Sequence, residues 1–255
     1  MRWSNRTPFV PPVFVDRTRL RRAALRYVEH GWAVTPGACL AGNRFVCGRP
    51  GCPIMGCHPA LEAWEQSAST DVARIATWWR RRPHTVLLAT GVAFDVLEVP
   101  AALGLRALGA ARLRAGIIGP SPEVHGSSPG LSPEVQGSSP GPGVHGSVHG
   151  GVHGPVAAVP GGRWMFLVRP GEPLRRELEC CLDVVRHGPG SWIPAPPSRM
   201  PEGPVRWAVS PEETQWTLPA SAPVQAMLVD ALGARGRKVR QPVVPRQVST
   251  ARRAA

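Results

Sequence analysis

Apolar residues fall at Leu20, Ala24, Tyr27 and Val28, a spacing that aligns them along one face of a helix. The pattern predicts a helix over 17–30, with Asp16 as N-cap and Gly31 as stop. A short buried strand is expected at 32–35. Val72, Ile75, Trp78 and Trp79 repeat the helical spacing, so a second helix should run over 70–81, capped by Thr70 and ended by Pro83. Two apolar runs of strand length follow at 85–90 and 94–99, separated by Gly91. The Ala- and Leu-rich stretch 101–115 favours helix by intrinsic propensity. Strands are then expected at 156–159 and 164–168 around a Pro160-Gly161-Gly162 turn, with more at 191–193 and 205–209 and helices at 173–181 and 222–232. Helices and strands alternate irregularly, and the late strands come in hairpin-like pairs. That order predicts an α+β domain, a mixed two-layer sandwich rather than a doubly wound parallel sheet.

The pattern breaks over 119–155. Residues 119–129 (GPSPEVHGSSP) and 130–140 (GLSPEVQGSSP) form an 11-residue repeat, after which VHG recurs at 144, 148 and 152. Such a stretch has too little apolar surface to offset the entropy of ordering it, and reads as a disordered Gly/Pro/Ser/His insertion. Residues 233–255 carry seven basic and no acidic side chains and read as a disordered basic tail. Setting both aside leaves 195 residues, enough for one well-buried domain spanning 16–232.

The net charge of +13 ordinarily signals an anionic partner such as nucleic acid. Lys238 is the one lysine among 30 basic residues, however, and heavy Arg, Ala, Gly and Pro usage is what G+C-rich codons produce. Charge alone therefore does not settle the partner. No run of about 18 apolar residues occurs, which argues against a membrane span. Residues 1–15 lack the apolar stretch and cleavage site of a secretory signal. The chain is expected in the cytoplasm, where its six cysteines would serve as thiols or metal ligands rather than disulfides.

Cys47-x4-Cys52-x4-Cys57-His58 places four potential ligands within twelve residues. Thiolates and imidazole suit tetrahedral zinc, and a Gly- and Pro-rich loop lets them turn toward one centre. Adjacent Cys57 and His58 cannot both ligate without a sharp turn, so Cys39 is an alternative fourth ligand. Free thiols in a partly buried loop are the competing reading. Cys180 and Cys181 read as core packing at a helix end, and the histidines at 125, 145, 149 and 153 as products of repeat expansion.

Five colinear segments carry more information than any one of them: ALRYVEHGWAVTPG at 24–37, CHPALEAW at 57–64 with STDVARIATWWRRRPHTVLLATG at 69–91, FDVLEVP at 94–100, GPVAAVPGGRWMFLV at 154–168 and LDVVRHGPGSWIPAPPSRM at 182–200. In this order they resemble the N-terminal domain of bifunctional DNA primase–polymerases, a branch of the archaeo-eukaryotic primase superfamily common in actinobacteria and their plasmids and phages. Gly119-Pro120 recurs as Gly154-Pro155, as though the insertion had expanded within one family loop.

The resemblance implies nucleotidyl transfer by divalent cations, magnesium or manganese, held on an acidic-x-acidic pair at a strand end, a later third acid and a histidine between them. Alternation explains the pair, because residues i and i+2 of a strand face one side. Here Glu98 matches the first acid, Pro100 replaces the second, Trp164 stands where the histidine belongs and Asp183 matches the third acid. Asp95, three residues from Glu98, should point to the other side. Without the resemblance, Glu98 reads as a strand-end carboxylate and Asp183 as a turn residue. Arg163 and Arg199 are candidates for nucleotide or nucleic-acid phosphate contacts, against solvated surface positions.

The expectation is a stand-alone, degenerate member that binds nucleic acid or nucleotide in DNA replication or mobile-element maintenance. An active DNA primase–polymerase and a zinc-stabilised interaction module are the alternatives. No GxxxxGK[ST] phosphate loop occurs, so a helicase, if needed, would be a separate protein.

Overall fold

The computed structural model describes residues 12–117 and 153–233. The repeat up to residue 152 and the tail beyond Gly233 lie outside the described residues. Helix α1 (Pro12–Glu29) leads into β1 (Val34–Pro36), the hairpin of β2 (Cys39–Ala41) and β3 (Arg44–Val46), and two short helices, α2 (Trp64–Ser67) and α3 (Val72–Trp78). Strands β4 (Val86–Ala89) and β5 (Asp95–Pro100) run into α4 (Ala101–Ile117), and β6 (Val156–Val159) and β7 (Arg163–Val168) follow. The last part holds α5 (Arg176–Glu179), β8 (Val185–His187), β9 (Trp192–Pro194), the small pair β10 (Arg199–Met200) and β11 (Gly203–Pro204), β12 (Arg206–Val209) and α6 (Ser221–Gly233).

Five strands form an antiparallel sheet in the order β12-β6-β7-β5-β8, and three form a second in the order β1-β4-β9. The α+β class expected from the sequence is what the chain adopts. Alternation along β5 divides the interior in two. Val96 joins Ala157, Met165 and Leu167 in a core shared with Leu20, Ala24 and Tyr27 of α1, Ile75 of α3, and Val34, Leu88 and Ile193 of the smaller sheet. Leu97 and Val99 join Phe166 and Val168 on the opposite face, beneath Leu103 and Leu108 of α4 and Val224 and Leu228 of α6. Burial of these side chains supplies the main driving force for the fold. No described helix is long and apolar enough to cross a membrane.

Several local expectations are corrected. Helix α1 begins upstream of Asp16, at Pro12, whose missing N–H costs nothing in a first turn. The α3 cap is Asp71 rather than Thr70; its Oδ1 accepts from the amides of Ala73 (2.8 Å) and Arg74 (3.2 Å). The helix expected over 173–181 shrinks to the four residues of α5, and Cys180 is exposed rather than packed. The Cys-rich segment contains the β2–β3 hairpin, which irregular Gly spacing conceals.

The PAPPS segment is a structural seam. The buried Tyr27 hydroxyl donates to the Pro196 carbonyl at 2.6 Å, and Ser198 Oγ accepts the Val86 amide at 2.9 Å. Helix α1 is thereby tied to the turn and the turn to β4. Gly91 has φ +93°, and a Cβ there would stand 2.2 Å from the Pro189 nitrogen. Only glycine admits the close approach of the β4–β5 connection to the segment between β8 and β9.

Candidate functional site

Strand β5 is flanked by β7 and β8, with Glu98 opposite Met165 on one side and Val185 on the other. Pro100, two residues on, shares its face and lies opposite Arg163. Arg163 Nε donates to Glu98 Oε1 at 2.6 Å, and its Nη2 donates to the Asp183 backbone carbonyl at 2.8 Å. From the other flank His187 Nε2 donates to Glu98 Oε2 at 2.6 Å, while His187 Nδ1 lies 2.9 Å from Ser191 Oγ. The Glu98 side chain retains 17% exposure. The hydrogen bond from His187 holds its carboxyl below the ordinary glutamate range despite the opposing effect of burial, and Arg163 adds to the shift.

Glu98, Asp183 and Arg163 thus come together, one guanidinium touching both acidic residues. The Asp183 carboxylate itself is exposed and has no hydrogen bond or ion pair among the described residues. Trp164 is on the other face of the sheet: it pairs with Val99, packs with the α4–α6 core and lies against Gly104 of α4. Asp95 also turns away from Glu98; its buried carboxylate accepts from Arg186 at 2.7 Å and from the Gly171 amide at 3.0 Å. Arg199 belongs to the β10–β11 pair and lines a different cleft.

The second cluster forms below the β2–β3 hairpin. One ligand atom from each of Cys47, Cys52 and His58 lies within 4.8 Å of the others, and Cys52 Sγ is 3.5 Å from His58 Nε2. His58 Nδ1 is 2.7 Å from the Gly56 carbonyl. That contact fixes a proton on Nδ1 and turns Nε2 toward the sulfurs, the orientation a metal-bound imidazole adopts. Burial pushes the Cys47 thiol up, but hydrogen bonds from His58, the Arg49 amide and side chain, and Cys52 outweigh it and bring it down to about 6. A thiolate is the form that binds metal. The donor set therefore fits a soft or borderline metal ion.

The other two cysteines expected near this centre are elsewhere. Cys57 packs with Ala38, Phe45, Met200 and Val205, and burial pushes its thiol up to about 12. His58 enters the cluster while its neighbour Cys57, in a bend, packs on the core. Cys39 Sγ lies 3.7 Å from His84 Nδ1, and burial raises its thiol as well.

The model of the bifunctional DNA primase/polymerase N-terminal family matches residues 24–225. The chain belongs to that family. No curated protein and no solved structure gives a match.

Within this primase–polymerase domain, sequence reasoning missed His187. Its only signal was a histidine four residues after Asp183, and the β5–β8 pairing that makes it a diagonal neighbour of Glu98 spans 89 residues of chain. Ser191 was missed for the same reason. In this domain Glu98 thus accepts from two N–H donors, with Asp183 joined to it through Arg163.

Proposed function

We propose that this primase–polymerase domain binds nucleic acid or nucleotide, in DNA replication or mobile-element maintenance, without carrying out two-metal nucleotidyl transfer. The observation that supports this is the state of Glu98: each carboxylate oxygen accepts a 2.6 Å hydrogen bond from the chain itself, one from Arg163 and one from His187. Two-metal transfer requires cations bridged by neighbouring carboxylates. Here the neighbouring position is Pro100, which offers no ligand, and a cation approaching Glu98 meets the Arg163 guanidinium. Magnesium and manganese do not fit this residue set.

The Cys47–Cys52–His58 group takes the role of a structural zinc site, tying the loop after β3 to the hairpin before it. Zinc would supply cross-linking there and no chemistry.

Manganese titration followed by calorimetry tests the reading of the acid site. The natural chain should show no saturable binding at the acid site, and the zinc site is filled beforehand. Pro100→Asp, which puts a second carboxylate on the Glu98 face, should bind more tightly than the natural chain. Saturable manganese binding to the natural chain that Glu98→Gln abolishes would refute the proposal.

A further inference from the structure

Three arginines are held by carboxylates. Arg163 is held by Glu98, Arg186 by Asp95 and Arg26 by Glu212. The side chains of Arg19, Arg199 and Arg206 form no ion pair or hydrogen bond among the described residues. These three, 187 positions apart in sequence from first to last, line one cleft of about 430 Å³. Arg19 comes from α1, Arg199 from the β10–β11 pair and Arg206 from the start of β12. The seam at Pro196 and Ser198 ties α1 to this turn, and Val205 N, just before β12, donates to the Ser198 carbonyl at 2.8 Å.

The chemistry of the cleft is specific in two ways. Asp16 is the one carboxylate on its wall, so three guanidiniums outnumber one acid. Leu40 and Val205 contribute apolar surface beside them. A guanidinium fork matches phosphate oxygens bidentately, and the apolar wall suits a sugar or base edge. The volume falls within the range of about 300–1,000 Å³ typical of small-molecule sites. A solvated basic surface would spread its charges over a convex face; here three arginines line one concavity.

We propose that the Arg19–Arg199–Arg206 cleft is the phosphate-binding site of this domain, taking the phosphate of a nucleotide or of a single strand. The proposal rests on the nucleic-acid or nucleotide reading above and adds its location. It places binding away from Glu98, whose cationic neighbour Arg163 is already committed.

Fluorescence anisotropy of the full chain with labelled oligothymidylate, and separately with a labelled ATP, tests it. The variant Arg19→Ala/Arg199→Ala/Arg206→Ala is compared with Arg74→Ala/Arg81→Ala/Arg112→Ala, which removes equal charge from exposed positions elsewhere. The cleft variant should lose on the order of tenfold or more in affinity, and its salt slope on the oligonucleotide should fall by about 2. The control should stay within about twofold of the natural chain. Loss on ATP alone assigns the site to a mononucleotide, and loss on both assigns it to strand phosphate as well. Single Arg→Gln variants at each position, expected to melt with the natural chain, should each weaken binding and so guard against a folding defect in the triple variant. Equal losses in cleft and control variants would overturn the site while leaving the functional reading intact. Failure of the natural chain to bind either probe would overturn both.

Discussion

Glu98 carries the clearest residue-scale consequence. Its carboxyl is depressed in the folded chain by His187 and Arg163. A depressed carboxyl contributes stability that is full above its unfolded value and is lost as pH falls through the folded one. The contribution is therefore complete at neutral pH, starts to be lost below about pH 4 and is gone once pH has fallen through the depressed folded value. Glu98→Gln should lower stability by about 1–3 kcal/mol at pH 7, or several degrees of melting temperature, and the gap from the natural chain should close as pH falls below that range. A gap independent of pH would show that the carboxylate is not what Arg163 and His187 hold. Glu98 was singled out through the family resemblance, and alternation placed Pro100 on its face. The partners of Glu98 were not legible, since β5–β8 pairing is a tertiary fact and nothing near 187 announces it. The cysteine cluster divides the same way: Cys47, Cys52 and His58 were legible from spacing, while the burial that removes Cys57 was not. Elemental analysis should find about one zinc per chain, lost in Cys47→Ser and Cys52→Ser and retained in Cys39→Ser and Cys57→Ser. Zinc content indifferent to Cys52→Ser would rule out the site.

At the scale of elements, two glycines separate the constraints that hold the sheets together from those that do not. Gly91→Ala forces a left-handed backbone on alanine and drives a Cβ into Pro189; unfolding in denaturant should show a loss of about 2–4 kcal/mol. Gly109 lies in α4, and a Cβ added there would meet nothing within 4 Å, so Gly109→Ala should stabilise by about 0.5–1 kcal/mol. The reverse order would show that the β4–β5 connection is looser than its contact with Pro189 implies. Long apolar periods made α1, α3, β4, β5 and β7 legible. The short pieces β8, β10 and β11 were not, because two or three residues carry no readable period and are fixed by their partners. Trp164 shows the limit of motif matching: the resemblance implies a cleft position for it, whereas register with Val99 sends the side chain toward α4 and Gly104.

For the whole molecule, we propose one domain over 16–232 whose described parts share two continuous cores. Leu167 N donates to the Pro155 carbonyl at 3.0 Å, anchoring the chain at the start of β6. Joining Gly119 to Gly154 by deleting 120–153 should leave the melting temperature within about 2 °C; a larger drop would mean that the removed segment packs on the domain. The central claim is that the acid site is held by its own arginine and histidine rather than by catalytic cations. Primer extension with magnesium or manganese, run on the natural chain beside Glu98→Ala, tests this most directly. The account predicts no metal-dependent product from either protein; a product made by the natural chain and lost in Glu98→Ala would contradict it.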